Sequence, residues 1–392
     1  MNTILSSCQL VTPFETIPDG AVAWDSEGKI IFAGPENKSE YIAGNRIDLK
    51  GMTAAPGLID IHVHGGNGIA FGLGNLAEEL KKYSKWVAHF GVTGFVITIT
   101  GPDPDSILRT IRAYVPLLEE DYHGAQPLGL HLEGPFINPQ KHGAFNPAWI
   151  RPPSLKEMRA YLDAGKGWIR HVSLAPELSG ADEVADLLSD SGVRAALAHS
   201  NADYKTASRA LRGKFTHVTH SFNAQSPLHH RQPGVVGAVL SSEKVSAELI
   251  ADSVHVHPAA MRILTRCLGV ERIVLITDAM PGAGLPDGTY TLLGQQAVIK
   301  NGKALLPDGT LAGSTATMDV CVRNMVGQVG VSFADALRMA AYNPAEVIGI
   351  DDSIGSLAPG KKANIAVFDK NLNVKMTFIN GNLVYEEKNN GK

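Results

Sequence analysis

Eight short apolar runs with helical patterns between most of them constrain this chain more than any other feature. The runs fall at 58–64, 95–100, 128–133, 168–174, 193–199, 215–220, 245–250 and 272–277. Between them lie amphipathic stretches near 104–119, 155–164, 181–190, 203–212 and 258–267. The first helix is the best marked. Asn75 stands as N-cap with Glu78 at the third helical position, and Leu76, Leu80, Tyr83, Val87 and Phe90 recur at spacings of four and three before Gly91. Parallel strands need a crossover, usually a helix, so this alternation predicts an α/β fold of the (β/α)8 TIM-barrel type.

Both ends of the chain depart from that rhythm. Runs at 20–24 and 29–33 flank the turn Asp25-Ser26-Glu27-Gly28, and runs at 364–368 and 377–385 contain the turn pair Asn380-Gly381. The expectation is a small β-sandwich domain built from both termini, 1–52 and 346–392, around a barrel at 53–345. A hairpin-like insertion is expected at 290–313, with helices following near 316–329 and 332–341.

The net charge of −4 leaves no broad basic field for nucleic acid or anionic lipid. Cys8, Cys267 and Cys321 are odd in number and widely spaced, which argues against disulfides or a thiolate metal site. With neither a signal-like leader nor an 18-residue apolar run, a cytoplasmic protein without a membrane partner is expected.

In such a barrel the chemistry gathers where the strands end at their C-termini. The first run ends in His62-Val63-His64 before two glycines, and residues at i and i+2 of a strand share a face. The third run ends in His131-Leu132-Glu133, the fifth in His199, the sixth in His217-Val218-Thr219-His220 and the eighth in Thr277-Asp278. One strand-end histidine is commonly a hydrogen-bonded loop residue. Five ligand-type residues at matching ends point instead to a divalent metal, with Glu133, His199 and His220 as a set suited to zinc or iron. His62 and His64 fit a second ion with Glu133 bridging. His131 and His217 fit supporting roles. Asp278 suits a proton shuttle beside an activated water. The long polar loop after the sixth run carries Asn223 and Ala224, placed to read an amide, and Arg231, which with His255 offers charge-assisted bonds to phosphate.

These pieces together resemble the amidohydrolase superfamily, and within it the N-acetylglucosamine-6-phosphate deacetylases. The resemblance is carried by Pro56-Gly-Leu-Ile-Asp-Ile-His-Val-His64, His131-Leu-Glu-Gly-Pro-Phe136, Leu197-Ala-His-Ser200, His220-Ser-Phe-Asn-Ala224, Ala251-Asp-Ser-Val-His255, Thr277-Asp-Ala279 and Leu311-Ala-Gly-Ser314. It implies hydrolysis of the acetamide of a phosphorylated amino sugar in amino-sugar catabolism. The implied main-metal ligands are Glu133, His199 and His220, with Asp278 as catalytic acid and base. Implied substrate contacts are Ala144, Asn223, Ala224, Arg231, His255, Leu311, Ala312 and Gly313. It further implies a homodimer in which a neighbouring subunit helps bind the phosphate, with Arg231 a candidate for that part. One or two ions per subunit are expected, since some members lack the H-x-H pair. Some carry a histidine where Phe145 stands here, and its carbonyl-polarising part would pass to a second ion or to His142.

Three other readings compete. The same chemistry on N-acetylgalactosamine 6-phosphate differs by one hydroxyl, which no motif here separates. A cyclic-amide hydrolase would bridge its metals with a carboxylated lysine, where this chain offers Glu133. A non-catalytic barrel would not need the complete ligand set.

Overall fold

A computed structural model of the chain describes residues 1–388. Eight parallel strands follow one another around a barrel: Leu58–Val63, Val92–Ile99, Gln126–Glu133, Ile169–Leu174, Arg194–Leu197, Phe215–Val218, Ser246–Ile250 and Ile273–Ile276. Each pairs with the next in sequence. Helices on the outer face cover strands whose positions are almost all buried, the pattern expected of a sheet covered on both sides. Along the first strand the two-residue period separates two jobs. Ile59 and Ile61 pack with Val274 and Ile276 against Ala345, Val347 and Ile348. Asp60 and His62 between them carry polar contacts.

The seam between the first and eighth strands has no continuous ladder, and side chains help to close it. The His62 carbonyl accepts from the Asp278 N–H at 2.9 Å, and the His64 N–H donates to the Ala279 carbonyl at 3.0 Å. Below them the buried Asp60 carboxylate accepts from the Thr277 N–H at 3.2 Å, from the Thr277 hydroxyl and from the His62 N–H at 3.3 Å. The residues that close the barrel therefore include those expected to do its chemistry.

Several element ends differ from expectation. The fifth and sixth strands stop at Leu197 and Val218, so His199 and His220 stand in the turns beyond them. A short helix, Gly234–Leu240, follows the polar loop after the sixth strand, where no helical pattern had been recognised; its small and β-branched residues hide the period. The helix at Pro104–Tyr114 gives way to a 3-10 turn at Val115–Leu117, where Pro116 lacks the N–H that would continue it. The insertion is a three-stranded antiparallel sheet, Gly288–Leu292, Gln295–Lys300 and Lys303–Leu305. The helix Met318–Asn324 widens into a π turn at Met325–Val329, and Phe333–Leu337 does the same at Arg338–Tyr342.

The termini share one eight-stranded sheet in which Ile365–Phe368 pairs with Thr53–Pro56 and Asn2–Val11 pairs with Thr16–Trp24. The sheet folds over its own core, bringing Leu5, Leu10 and Trp24 against Ile365 and Phe378. Trp24 meets Phe378 edge to face at 5.3 Å and donates from Nε1 to the Gly381 carbonyl at 3.1 Å. Asn380 and Gly381, at φ of +48° and +78°, make the two-residue turn of the last hairpin. Among the described residues no helix is long and apolar enough to cross a membrane.

Replacing Asp60 with alanine strands the Thr277 and His62 donors in the buried seam. A loss of about 1–3 kcal/mol is expected, read as a lower urea midpoint at unchanged slope.

Candidate active site

Three residues at the barrel mouth hold a backbone conformation that favours glycine. His199, His220 and Asp278 have φ of +43°, +27° and +48°. Non-glycine residues in this region cost of order 1–3 kcal/mol each and persist where surrounding structure over-determines them. Here the left-handed turn takes the chain out of the strand at once and leaves the side chain over the barrel axis. Gly65, at φ +149°, serves the same exit after His64, and a Cβ there would collide with the Ile69 carbonyl.

The Glu133 carboxylate is the centre of what gathers. Its Oε1 lies 3.2 Å from His199 Nε2 and 3.1 Å from His220 Nε2, and those two nitrogens are 3.1 Å apart. Its Oε2 lies 3.1 Å from His64 Nε2 and 3.5 Å from His62 Nε2. Asp278 Oδ1 closes the second group at 3.3 Å from His64 Nε2 and 3.6 Å from His62 Nε2. Two sets of potential ligand atoms result, Glu133–His199–His220 and His62–His64–Asp278, each within 4.8 Å of one another.

The tautomers explain why these groups suit a cation. His199 Nδ1 sits 2.7 Å from the Lys141 carbonyl, which can only accept, so Nδ1 carries the proton. His62 Nδ1 sits 3.0 Å from the Glu248 carboxylate and is likewise the donor. In the neutral rings each Nε2 then presents a lone pair toward carboxylate oxygens that also offer only lone pairs. His62 Nε2 is buried without a hydrogen-bond partner. Lone pairs of His199 and His62 converge on carboxylate lone pairs at 3.2–3.6 Å, an arrangement satisfied by a cation between them.

The electrostatics agree. Burial opposes charging His62, yet the carboxylates of Glu133, Glu248 and Asp278 hold its pKa well above the ordinary histidine value. The same contest at His64 is won by bonds to Asp278 and Glu133, which push it up to about 9. Burial would raise Glu133, but His62, then His199 and His220, keep it well below the usual carboxylate range. His62 and His64 outweigh burial at Asp278 and lower it as well. The side of the pocket at His62 and His64 is negative in potential and fits a divalent ion, while burial holds His199 below the ordinary histidine value.

Above the two groups lies a cavity of about 280 Å³. His64, Glu133, His199, His220 and Asp278 form its floor, and Ala144, Asn223, Ala224, His255, Leu311 and Gly313 line its walls. Two expected contacts are not brought together with these. Ala312 is fully buried behind its neighbours, and Arg231 is exposed, its guanidinium against His230 Nε2 at 2.8 Å. Phe145 stands edge-on to His199 at 5.1 Å as an apolar wall. His142 turns its Nδ1 to the Phe145 carbonyl at 3.2 Å and does not line the cavity.

The expected supporting histidines lie deeper. His131 bonds Ser173 Oγ at 2.7 Å and Thr98 Oγ1 at 3.2 Å, and His217 bonds Ser246 Oγ at 2.7 Å. Sequence reasoning missed Asp60, which burial raises to about 7, and Glu248. Each is a lone carboxylate inside an apolar strand, and that interruption was the available signal. It also missed Gln140, Lys141, Thr310 and the pair Leu292-Leu293, which the insertion sheet carries into the cavity wall.

The family model described as "Amidohydrolase family" matches residues 53–384. The N-acetylgalactosamine-6-phosphate deacetylase of Escherichia coli O157:H7 is 39% identical over 84% of this chain and 86% of its own. The N-acetylglucosamine-6-phosphate deacetylase of Bacillus subtilis is 34% identical over 98% of each chain. Among solved structures, a mutant N-acetyl-D-glucosamine-6-phosphate deacetylase from Mycobacterium smegmatis, in complex with N-acetyl-D-glucosamine-6-phosphate, superposes with a TM-score of 0.91 at 32% identity, covering 98% of this chain and 99% of that one. A barrel mouth built of histidines and carboxylates, on a chain matched over this length, belongs to the amidohydrolase family.

Proposed function

We propose that this protein hydrolyses the acetamide of N-acetylglucosamine 6-phosphate to glucosamine 6-phosphate and acetate, in amino-sugar catabolism. The observation that carries the reading is the Glu133 carboxylate with one oxygen facing His199 and His220 and the other facing His62 and His64, beneath a cavity that Asp278 also lines. Near-full-length likeness to deacetylases of phosphorylated amino sugars supports the substrate class.

Glu133, His199 and His220 would hold one zinc or iron ion, and His62, His64 and Asp278 a second, with Glu133 shared. A divalent ion so held lowers the pKa of water from 15.7 to about 7 and polarises a carbonyl. The chain's own residues do the rest. Asp278, which lines the cavity beside His62 and His64, accepts the proton of the attacking water and returns it to the departing amine nitrogen. Asn223 and Ala224 on one wall and Leu311 and Gly313 on the other orient the sugar and its amide. Phe145 and the Leu292-Leu293 pair keep the floor dry, which strengthens every charge interaction there.

His255 is bonded through Nδ1 to Asp252 at 2.7 Å, and although burial opposes its charging, that bond raises its pKa. With Lys141 it is a wall residue suited to a phosphate. Arg231, outside the cavity of its own chain, is assigned to the cavity of a neighbouring subunit in a cytoplasmic homodimer. The galactosamine epimer is the second reading, favoured by the E. coli O157:H7 relative.

Glu133→Gln should strip the shared ligand from both groups. Titration of the chelator-treated variant with Zn2+ is expected to show at least about 100-fold weaker binding than the unsubstituted protein, and equal affinity would contradict the bridging assignment. Asp278→Asn should lower kcat on N-acetylglucosamine 6-phosphate at least about 100-fold, read as acetate released, and near-normal turnover would remove Asp278 from proton transfer. Rates on the two phosphorylated epimers, measured side by side, decide between the two readings. A kcat/KM at least about tenfold higher for the glucosamine epimer is expected, and the reverse ratio would reassign the substrate.

A further inference from the structure

Glu248 is a carboxylate that the proposed chemistry does not use. It lies mid-strand in Ser246–Ile250 with no exposed surface. Oε2 accepts from His62 Nδ1 at 3.0 Å and from the His220 peptide N–H at 3.1 Å. Oε1 faces His217 Nε2 at 3.1 Å, and His217 Nδ1 lies 2.7 Å from Ser246 Oγ. A buried carboxylate depends on its donors, so three hydrogen bonds, with His171 Nε2 also 3.7 Å from Oε1, specify the place of this side chain closely. Two of the three lead to different ligand groups.

We infer that Glu248 is a positioning residue shared by both ion groups. By holding the proton on His62 Nδ1 it turns the Nε2 lone pair toward His64 and Asp278. By fixing the His220 peptide it sustains the left-handed turn that aims His220 at Glu133. The role is that of an outer carboxylate that orients a ligating imidazole. The inference rests on the metal-dependent reading above.

Two substitutions separate acceptor geometry from packing and from charge. Methionine fills a similar volume but accepts nothing, leaving His62 and His220 without their partner. Glutamine keeps one carbonyl that can accept from both, while its amide nitrogen meets His217, which can present a lone pair by changing tautomer. Zn2+ is titrated into chelator-treated protein by calorimetry, with apo-protein Tm recorded alongside. The unsubstituted chain is expected to bind two ions. Glu248→Met should weaken both ions, at His62 and at His220, by about 10- to 100-fold, and Glu248→Gln should restore most of that affinity.

Unchanged binding in Glu248→Met overturns the inference and leaves the metal reading standing. Equal loss in both variants also overturns it, because charge and not acceptor geometry would then be at work. If the unsubstituted chain binds no ion at His62, the metal reading fails and takes this inference with it. Should Glu248→Met not fold, 15N spectra of histidine-labelled, zinc-loaded unsubstituted protein decide the matter. The inference requires His62 to be protonated at Nδ1, and a proton on Nε2 overturns it.

Discussion

Everything at the mouth of this barrel follows from one carboxylate placed between two pairs of imidazoles. Glu133 is nearly inaccessible to solvent, and its two oxygens face four ring nitrogens at 3.1–3.5 Å. In water such a group would disperse. Buried, it is stable only when positive charge stands among the lone pairs, whether as protons or as a divalent ion. The raised pKa values of His62 and His64 and the lowered one of Glu133 express the same demand from both sides.

The fold meets that demand by strain and by hydrogen bonding. Left-handed turns at His199, His220 and Asp278 bring residues from three strand ends over one axis, and the Asp60 seam ties the first strand to the eighth just below them. Backbone energy spent in those turns is offset by the outside layer of helices and by a core that leaves the strands almost no exposed surface. The floor gathers at the strand ends, and the walls come from loops and from the inserted three-stranded sheet. Chemistry is thus placed at the strand ends and the turns that leave them, and selection among substrates at the longer connections.

Much of this was legible in the sequence, for a physical reason. Barrel strands and their helices have distinct periods, so the eight runs and the capped helix after Asn75 stood out. The histidines and carboxylates of the floor were legible because strand ends in this architecture converge. Less legible was whatever depended on contacts between distant segments. Nothing near Leu292 or Leu293 announces that they reach a cavity whose floor is made by His64 and His199. Arg231, read from its motif as a phosphate contact and as a candidate for a neighbouring subunit's site, is exposed on its own chain, and a loop's path is set by packing that no local pattern encodes. Asp60 and Glu248 sat in plain view inside apolar strands, and their meaning needed the third dimension.

The most direct test of the central claim is anomalous diffraction at the zinc and iron edges from crystals of the protein as purified without chelator. The account predicts two peaks flanking the Glu133 carboxylate, about 3.5–4 Å apart, one beside His199 and His220 and the other beside His62 and His64. Absence of any peak at Glu133, with the imidazoles instead bonded to water or to each other, would contradict it.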